Sequence, residues 1–153
     1  METVQNNRWF EGCAAAFTAA AVVAAIVRIA TPFGHGWWLV AYLALVGGLS
    51  QLLLGPGLNA IASSTGRAPG VKTSSAQLVL WNAGTALVAI GVLAGTSAGV
   101  IAGSVLLLAA LGSFAVSLGR TGPVTHGWPL GYLVLVLFLV SSVFTGAGLA
   151  GAL

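Results

Sequence analysis

Few side chains in this sequence can do chemistry, and most of those that can fall in one recurring pattern. Arg28-Ile-Ala-Thr-Pro32-Phe-Gly-His35-Gly-Trp37 is answered by Arg120-Thr-Gly-Pro123-Val-Thr-His126-Gly-Trp128. In each copy an arginine closes an apolar run, a proline follows, and His-Gly-Trp opens the next run. The continuations agree as well, with Leu39-Val-Ala-Tyr42 set against Leu130-Gly-Tyr132. Both histidines and both tyrosines of the chain lie in these two copies. His35 and His126 could serve as interfacial structural groups, ligate haem or a metal, or pass a proton. Arg28 and Arg120 could snorkel to the membrane surface and compensate a helix C-terminus, or hold an anionic lipid headgroup or a haem propionate. His35 and Tyr42 are nearly two turns apart and share a face if the helix already includes His35. His126 and Tyr132 are six apart, and Pro129 suits a first helical turn, so His126 reads as a residue ahead of its helix.

The other polar side chains inside apolar runs are few. Gln51, Gln77, Asn82, Thr85, Ser104, Ser113, Ser141 and Ser142 stand out, with Asn82 the deepest of the amides. An intramembrane asparagine hydrogen-bonds across helices, and the alternative is contact with a solute. The only acids, Glu2 and Glu11, precede the first apolar run. General acid–base chemistry therefore has few candidates, and no nucleophile elbow, phosphate loop or zinc-protease motif is present. The chain reads as a non-enzyme. The absence of Asp, Glu and Lys from the apolar interiors also speaks against ion-coupled or proton-driven transport. A lone Cys13 excludes an internal disulfide and reads as a small apolar helix residue.

The elements that must position these groups follow from composition. Of 153 residues, 58% are hydrophobic and only 5% charged, where a soluble domain carries about a quarter charged residues. The expected fold is all-α and integral to a membrane, with about five spans in one domain. Apolar runs over 12–29, 37–54, 76–93, 98–118 and 129–150 each approach the ~20 residues that a bilayer requires. Residues 75–119 as one helix would reach about 67 Å, so the chain must turn back, most naturally at Gly95 to Gly99. Residues 1–11 read as a polar leading segment and 55–75 as a polar loop, on the strength of Pro56, Gly57, Gly66, Pro69 and Gly70. The acidic lead-in marks the first run as a retained helix rather than a cleaved signal.

With five spans, Arg8, Arg67, Lys72 and Arg120 fall on one side and Arg28 alone on the other. This places the N-terminus in the cytoplasm and the C-terminus outside. Trp9, Trp37, Trp38 and Trp128 mark span ends, where indole rings favour the headgroup zone. Because an odd third helix separates the copies, helices one–two and four–five form an inverted repeat. The glycines at 91, 95, 99 and 103 offer close approach, either within the bundle or to a second copy.

The run from His35 to Gly47-Gly48, through Trp37, Trp38 and Tyr42, resembles the haem-ligating helix of haem-copper oxidase catalytic subunits. That resemblance covers about a tenth of the chain. It implies His35 as an axial ligand of haem b and Gly47-Gly48 as a packing pair. The family's copper-site histidines have no counterpart here, so its oxygen chemistry is not implied. The inverted geometry sets His35 and His126 on opposite faces, so bis-His ligation would require a partner chain. The Ala-, Gly-, Leu- and Val-rich texture is similar to small actinobacterial membrane proteins, which implies a bacterial inner membrane. The partners expected are the lipid bilayer and a homo-oligomer or larger membrane complex. Nucleic acid is not expected, because no face gathers Lys and Arg. The leading expectation is a structural or accessory bundle. The alternatives are a small permeation unit for a weakly polar solute, warranted by the repeat and the Asn82, Gln51 and Gln77 amides, and a haem-b carrier.

Overall fold

The computed structural model describes residues 2–65, 71–121 and 127–149. Among these the regular elements are all helices: α1 (Glu2–Ala30), α2 (Gly36–Tyr42), a π-helical segment (Leu43–Leu49), α3 (Ser50–Thr65), α4 (Val71–Leu93), α5 (Ser97–Thr121) and α6 (Trp128–Leu149). The stretch Gly36–Ile61 is one continuous apolar rod that includes α2, the π segment and most of α3. It joins Arg8–Ala30, Lys72–Leu93 and Ser97–Arg120 as four helices long and apolar enough to cross a membrane. In α6 the apolar stretch among the described residues is Pro129–Ser141.

The outer surface is as apolar as the interior. Ile26, Ile29, Val79, Ile90, Val105, Val134 and Phe138 are all more than half exposed. The buried set, by contrast, includes Gln51, Gln77, Thr85 and Ser117. Water would penalise such a surface, whereas lipid tails solvate it, and the inner polar groups can then bond only to one another.

α1 lies antiparallel against the α2–α3 rod in a strict register. The Arg28 stem crosses Gly36, Phe17 and Thr18 meet Gly47 and Gly48, and the Phe10 ring meets Gly55. Each step back along α1 thus matches a step forward along its partner. α4 and α5 pair more tightly still, through glycines. A Cβ on Gly103 would sit 2.6 Å from the Val88 nitrogen and 2.7 Å from the Gly84 oxygen. One on Gly91 would lie 2.6 Å from the Val100 nitrogen. The expected turn between these helices is present. Gly95 takes a left-handed conformation (φ +64), the Thr96 N–H reaches Gly91 O at 2.8 Å, and the Gly95 N–H reaches Val92 O at 3.2 Å. This is the doubly bonded C-terminal cap that glycine favours.

One expectation needs correction. Residues 55–75 are not a loop: α3 continues through Gly55, Pro56 and Gly57 to Thr65, and α4 begins at Val71. Of that stretch only 66–70 lie outside the described residues. Gly55 and Gly57 look like breakers in the sequence, but tertiary contact uses them as close-approach points. Phe10 of α1 packs on Gly55, and the Tyr132 ring of α6 lies 3.3 Å from a Cβ built on Gly57. Pro56 removes one N–H inside the helix, and packing of the flanking glycines against neighbouring helices offsets that loss. Similarly, the polar segment 1–11 is helical from Glu2 onward and continues into the apolar part of α1.

Candidate functional site

One seam of polar groups runs where the α2–π–α3 rod faces α4. The seam starts with a local departure from α-helix. At Leu43–Leu49 the backbone widens to a π-helix, with Gly47 and Gly48 in its second half pressed by Phe17 and Thr18. A π turn misaligns carbonyls that an α-helix would satisfy, and such segments gather at functional sites. Here three consecutive carbonyls each take a side-chain donor. The Ser50 hydroxyl donates to Leu45 O at 2.8 Å, the Trp81 Nε1–H to Val46 O at 3.0 Å, and the Gln51 Nε2 to Gly47 O at 2.6 Å.

Gln51 and Asn82 then bond reciprocally. Gln51 Nε2 donates to Asn82 Oδ1 at 3.2 Å, and Asn82 Nδ2 donates to Gln51 Oε1 at 3.2 Å. The second proton of Asn82 goes to Leu78 O at 2.7 Å. Both amide groups therefore spend both of their donors inside the protein. Gln77 does likewise on the other side of α4, donating to Ser113 Oγ at 3.2 Å and Ser117 Oγ at 3.0 Å on α5. The cross-helix reading of Asn82 matches this geometry.

A double-mutant cycle tests the reciprocal pair. Gln51→Leu or Asn82→Leu alone is expected to cost about 1–2 kcal/mol, because each strands the other amide in a medium without water. The double variant is expected to recover about 1 kcal/mol of the summed loss. Strictly additive losses on reversible unfolding in detergent would show that the amides do not act as a pair.

The repeat residues are placed unequally. His35 is exposed at the N-cap of α2, in a left-handed conformation (φ 59), and Leu39 N–H donates to its carbonyl at 2.8 Å. Gly36 follows, buried under the Arg28 stem so closely that a Cβ there would push the stem aside. In the second copy Gly127 itself takes the left-handed conformation (φ +67) and has open space around it. The glycine of His-Gly-Trp therefore makes room for an arginine in one copy and turns the backbone in the other. Arg120 is exposed in the last turn of α5. His126 lies outside the described residues.

The tyrosines diverge for the same reason. Tyr42 stands seven residues beyond its cap and Tyr132 five beyond Gly127, so their rings leave the helix at different angles. The Tyr132 hydroxyl donates to Leu54 O at 2.8 Å and ties α6 to α3. Tyr42 stacks on Trp38, with ring centroids 4.8 Å apart and planes 12° from parallel. Its hydroxyl is shut away from solvent beside the buried hydroxyl of Thr85 on α4.

Sequence reasoning named Thr85 as a polar residue within an apolar run but did not single out Trp81 or Ser50 for this seam. The outward signal of Ser50 was the cluster Gly47-Gly48-Leu-Ser50-Gln51, small and polar residues in the middle of an apolar run. Beside His35 lies a cavity of about 150 Å³, lined by His35, Gly91, Val92, Gly95, Thr96, Ser97 and Val100. Among the described residues no group of three or more His, Cys, Asp or Glu could hold a metal ion. No family model, no curated protein and no solved structure matches this chain.

Proposed function

We propose that this chain is a structural or accessory component of a membrane complex, working as a rigid multi-span bundle. The observation that carries the reading is the fate of the interior donors. Gln51, Asn82 and Gln77 spend every amide proton inside the bundle, either across to a neighbouring helix or on a carbonyl of their own, and Trp81 spends its own on the π segment. A permeation path would need such groups free to exchange with a passing solute. The outer surface supplies what an accessory subunit uses: a broad apolar wall, with Trp9 and Trp37 exposed near its two ends.

Purification in mild detergent, with absorbance and oligomeric mass read together, tests the proposal. The expected result is an oligomer or a partner-bound assembly without a Soret band. A lone monomer that binds one solute or haem specifically would overturn it.

The topology belongs to the same proposal: five spans, with α6 as the last, and the repeat halves inverted about the membrane plane. The antiparallel register supports it by gathering Arg8, Lys72 and Arg120 at one end and leaving Arg28 at the other. By the positive-inside rule the Arg8 end faces the cytoplasm. In a Cys13→Ala background, Ser97→Cys is expected to react with an impermeant thiol reagent on intact cells. Lys72→Cys is expected to react only after permeabilisation, and the opposite pattern would reverse the orientation.

A further inference from the structure

α1 is the least covered of the four spans, and its outer face differs from those of its neighbours in charge and in size. The charge is the more telling of the two. The span begins at Arg8, so Glu11 stands one turn inside it, exposed, and it is the one acid in any of the four spans. Among the described residues no ion pair holds either Glu11 or Arg8. A carboxylate within a span that faces away from its own bundle calls for a cation from outside that bundle. Arg8, one turn earlier and equally exposed, is such a cation when the neighbour is another copy of the same chain.

The size of the side chains points the same way. α4, α5 and α6 turn large groups such as Ile90, Val105 and Phe138 outward. In its first half α1 turns Gly12, Ala15, Ala16 and Ala19 outward instead. Spaced three or four residues apart, they lie on one stripe that continues from Arg8, and small residues so placed let a second helix approach closely. No contact within the chain uses Gly12, since a Cβ there meets nothing within 4 Å.

We propose that α1 is a homodimer seam, in which two copies pack Gly12, Ala15 and Ala19 together and exchange Arg8–Glu11 ion pairs. Copies inserted alike are related by a twofold axis along the membrane normal, so their α1 helices run parallel and equal residues meet at equal depth. Arg8 then lies one turn from Glu11 of the partner subunit, and the symmetry repeats the pair. The seam rests on the reading of the chain as a subunit of a complex and names the partner as a second copy.

Cysteine cross-linking of the full chain in its membrane tests the seam. In a Cys13→Ala background, Ala15→Cys is expected to give a disulfide-linked dimer on mild oxidation, whereas Val105→Cys, exposed on α5, is not. Added to Ala15→Cys, Arg8→Glu and Glu11→Arg are each expected to lower the linked fraction several-fold, and both together to restore it. Gly12→Leu leaves the charges alone and has open space within one chain, so it is expected to abolish the link without disturbing the fold. Equal linking at Ala15 and Val105, or charge reversals that fail to rescue one another, would overturn the seam. An unlinked Ala15→Cys in a protein that still runs above monomer mass in mild detergent would overturn it too, while leaving the subunit reading in place.

Discussion

Gly103→Ala is expected to destabilise the protein by about 2 kcal/mol, roughly a thirty-fold fall in the ratio of folded to unfolded chains. The added methyl would meet the Val88 nitrogen at 2.6 Å and the Gly84 oxygen at 2.7 Å, and both are backbone atoms of α4. A flexible side chain could swing aside, but a helix backbone moves only as a whole. α4 and α5 would have to separate, and the nearby contact of Gly91 with Gly99 and Val100 would loosen with them. Alanine gains about 1 kcal/mol of helix propensity over glycine, which offsets part of the loss. In lipid, helix association draws on close packing rather than on release of water, so a lost van der Waals seam has little to replace it. Gly112→Ala on the same helix is the control, because a Cβ there meets nothing within 4 Å. It is expected to leave stability unchanged or raise it by up to about 1 kcal/mol. Reversible unfolding in mixed micelles, followed by tryptophan fluorescence, reads both. Equal stabilities for the two variants would show that the α4–α5 contact carries no special weight.

The contrast between these two glycines marks how far the fold was legible beforehand. Gly91, Gly95, Gly99 and Gly103 were visible as a period of four, and the turn at Gly95 followed from the distance a bilayer allows. Which glycines face a neighbour is a property of helix rotation, and no one-dimensional pattern records it in a chain that is apolar on every side. For the same reason Gly55-Pro56-Gly57 was misread. In water such a run would break a helix, whereas here Phe10 and Tyr132 use the vacant Cβ positions to pack on α3. The amide rungs were partly legible, since Gln51 and Asn82 could be named as buried polar groups that need partners. That they need each other depends on the π segment, which turns Gln51 toward α4. Its sequence signal is only two glycines followed by Ser50 and Gln51. The repeated His-Gly-Trp motif was plain, but similar letters do unlike work. Gly36 clears the Arg28 stem, whereas Gly127 bends the backbone, and the tyrosines downstream inherit that difference.

The π segment should depend on Trp81 more than on any other side chain, and two substitutions there separate the reasons. Trp81 is 1% exposed and packs in the main core, with its indole N–H held 3.0 Å from Val46 O. Trp81→Ala would leave a cavity on the order of 100 Å³, which at ~24 cal/mol per Å³ costs about 2–3 kcal/mol even without a transfer term. Trp81→Phe keeps most of the ring and removes only the donor, an expected loss of about 1 kcal/mol. The smaller loss is the more informative of the two. Without the indole N–H, the Val46 carbonyl loses its donor, and the π turn that presents Gln51 to Asn82 loses one of its three side-chain bonds. The Gln51–Asn82 pair beside it would weaken, so Asn82→Leu should cost less in a Trp81→Phe background than the about 1–2 kcal/mol expected in the parent chain. If Asn82→Leu costs the same in both backgrounds, the π segment is held by its own glycines and by Phe17 and Thr18 pressing on them. A smaller Asn82 effect would instead make the indole hydrogen bond a contact that holds Gln51 in line with Asn82 across the polar seam.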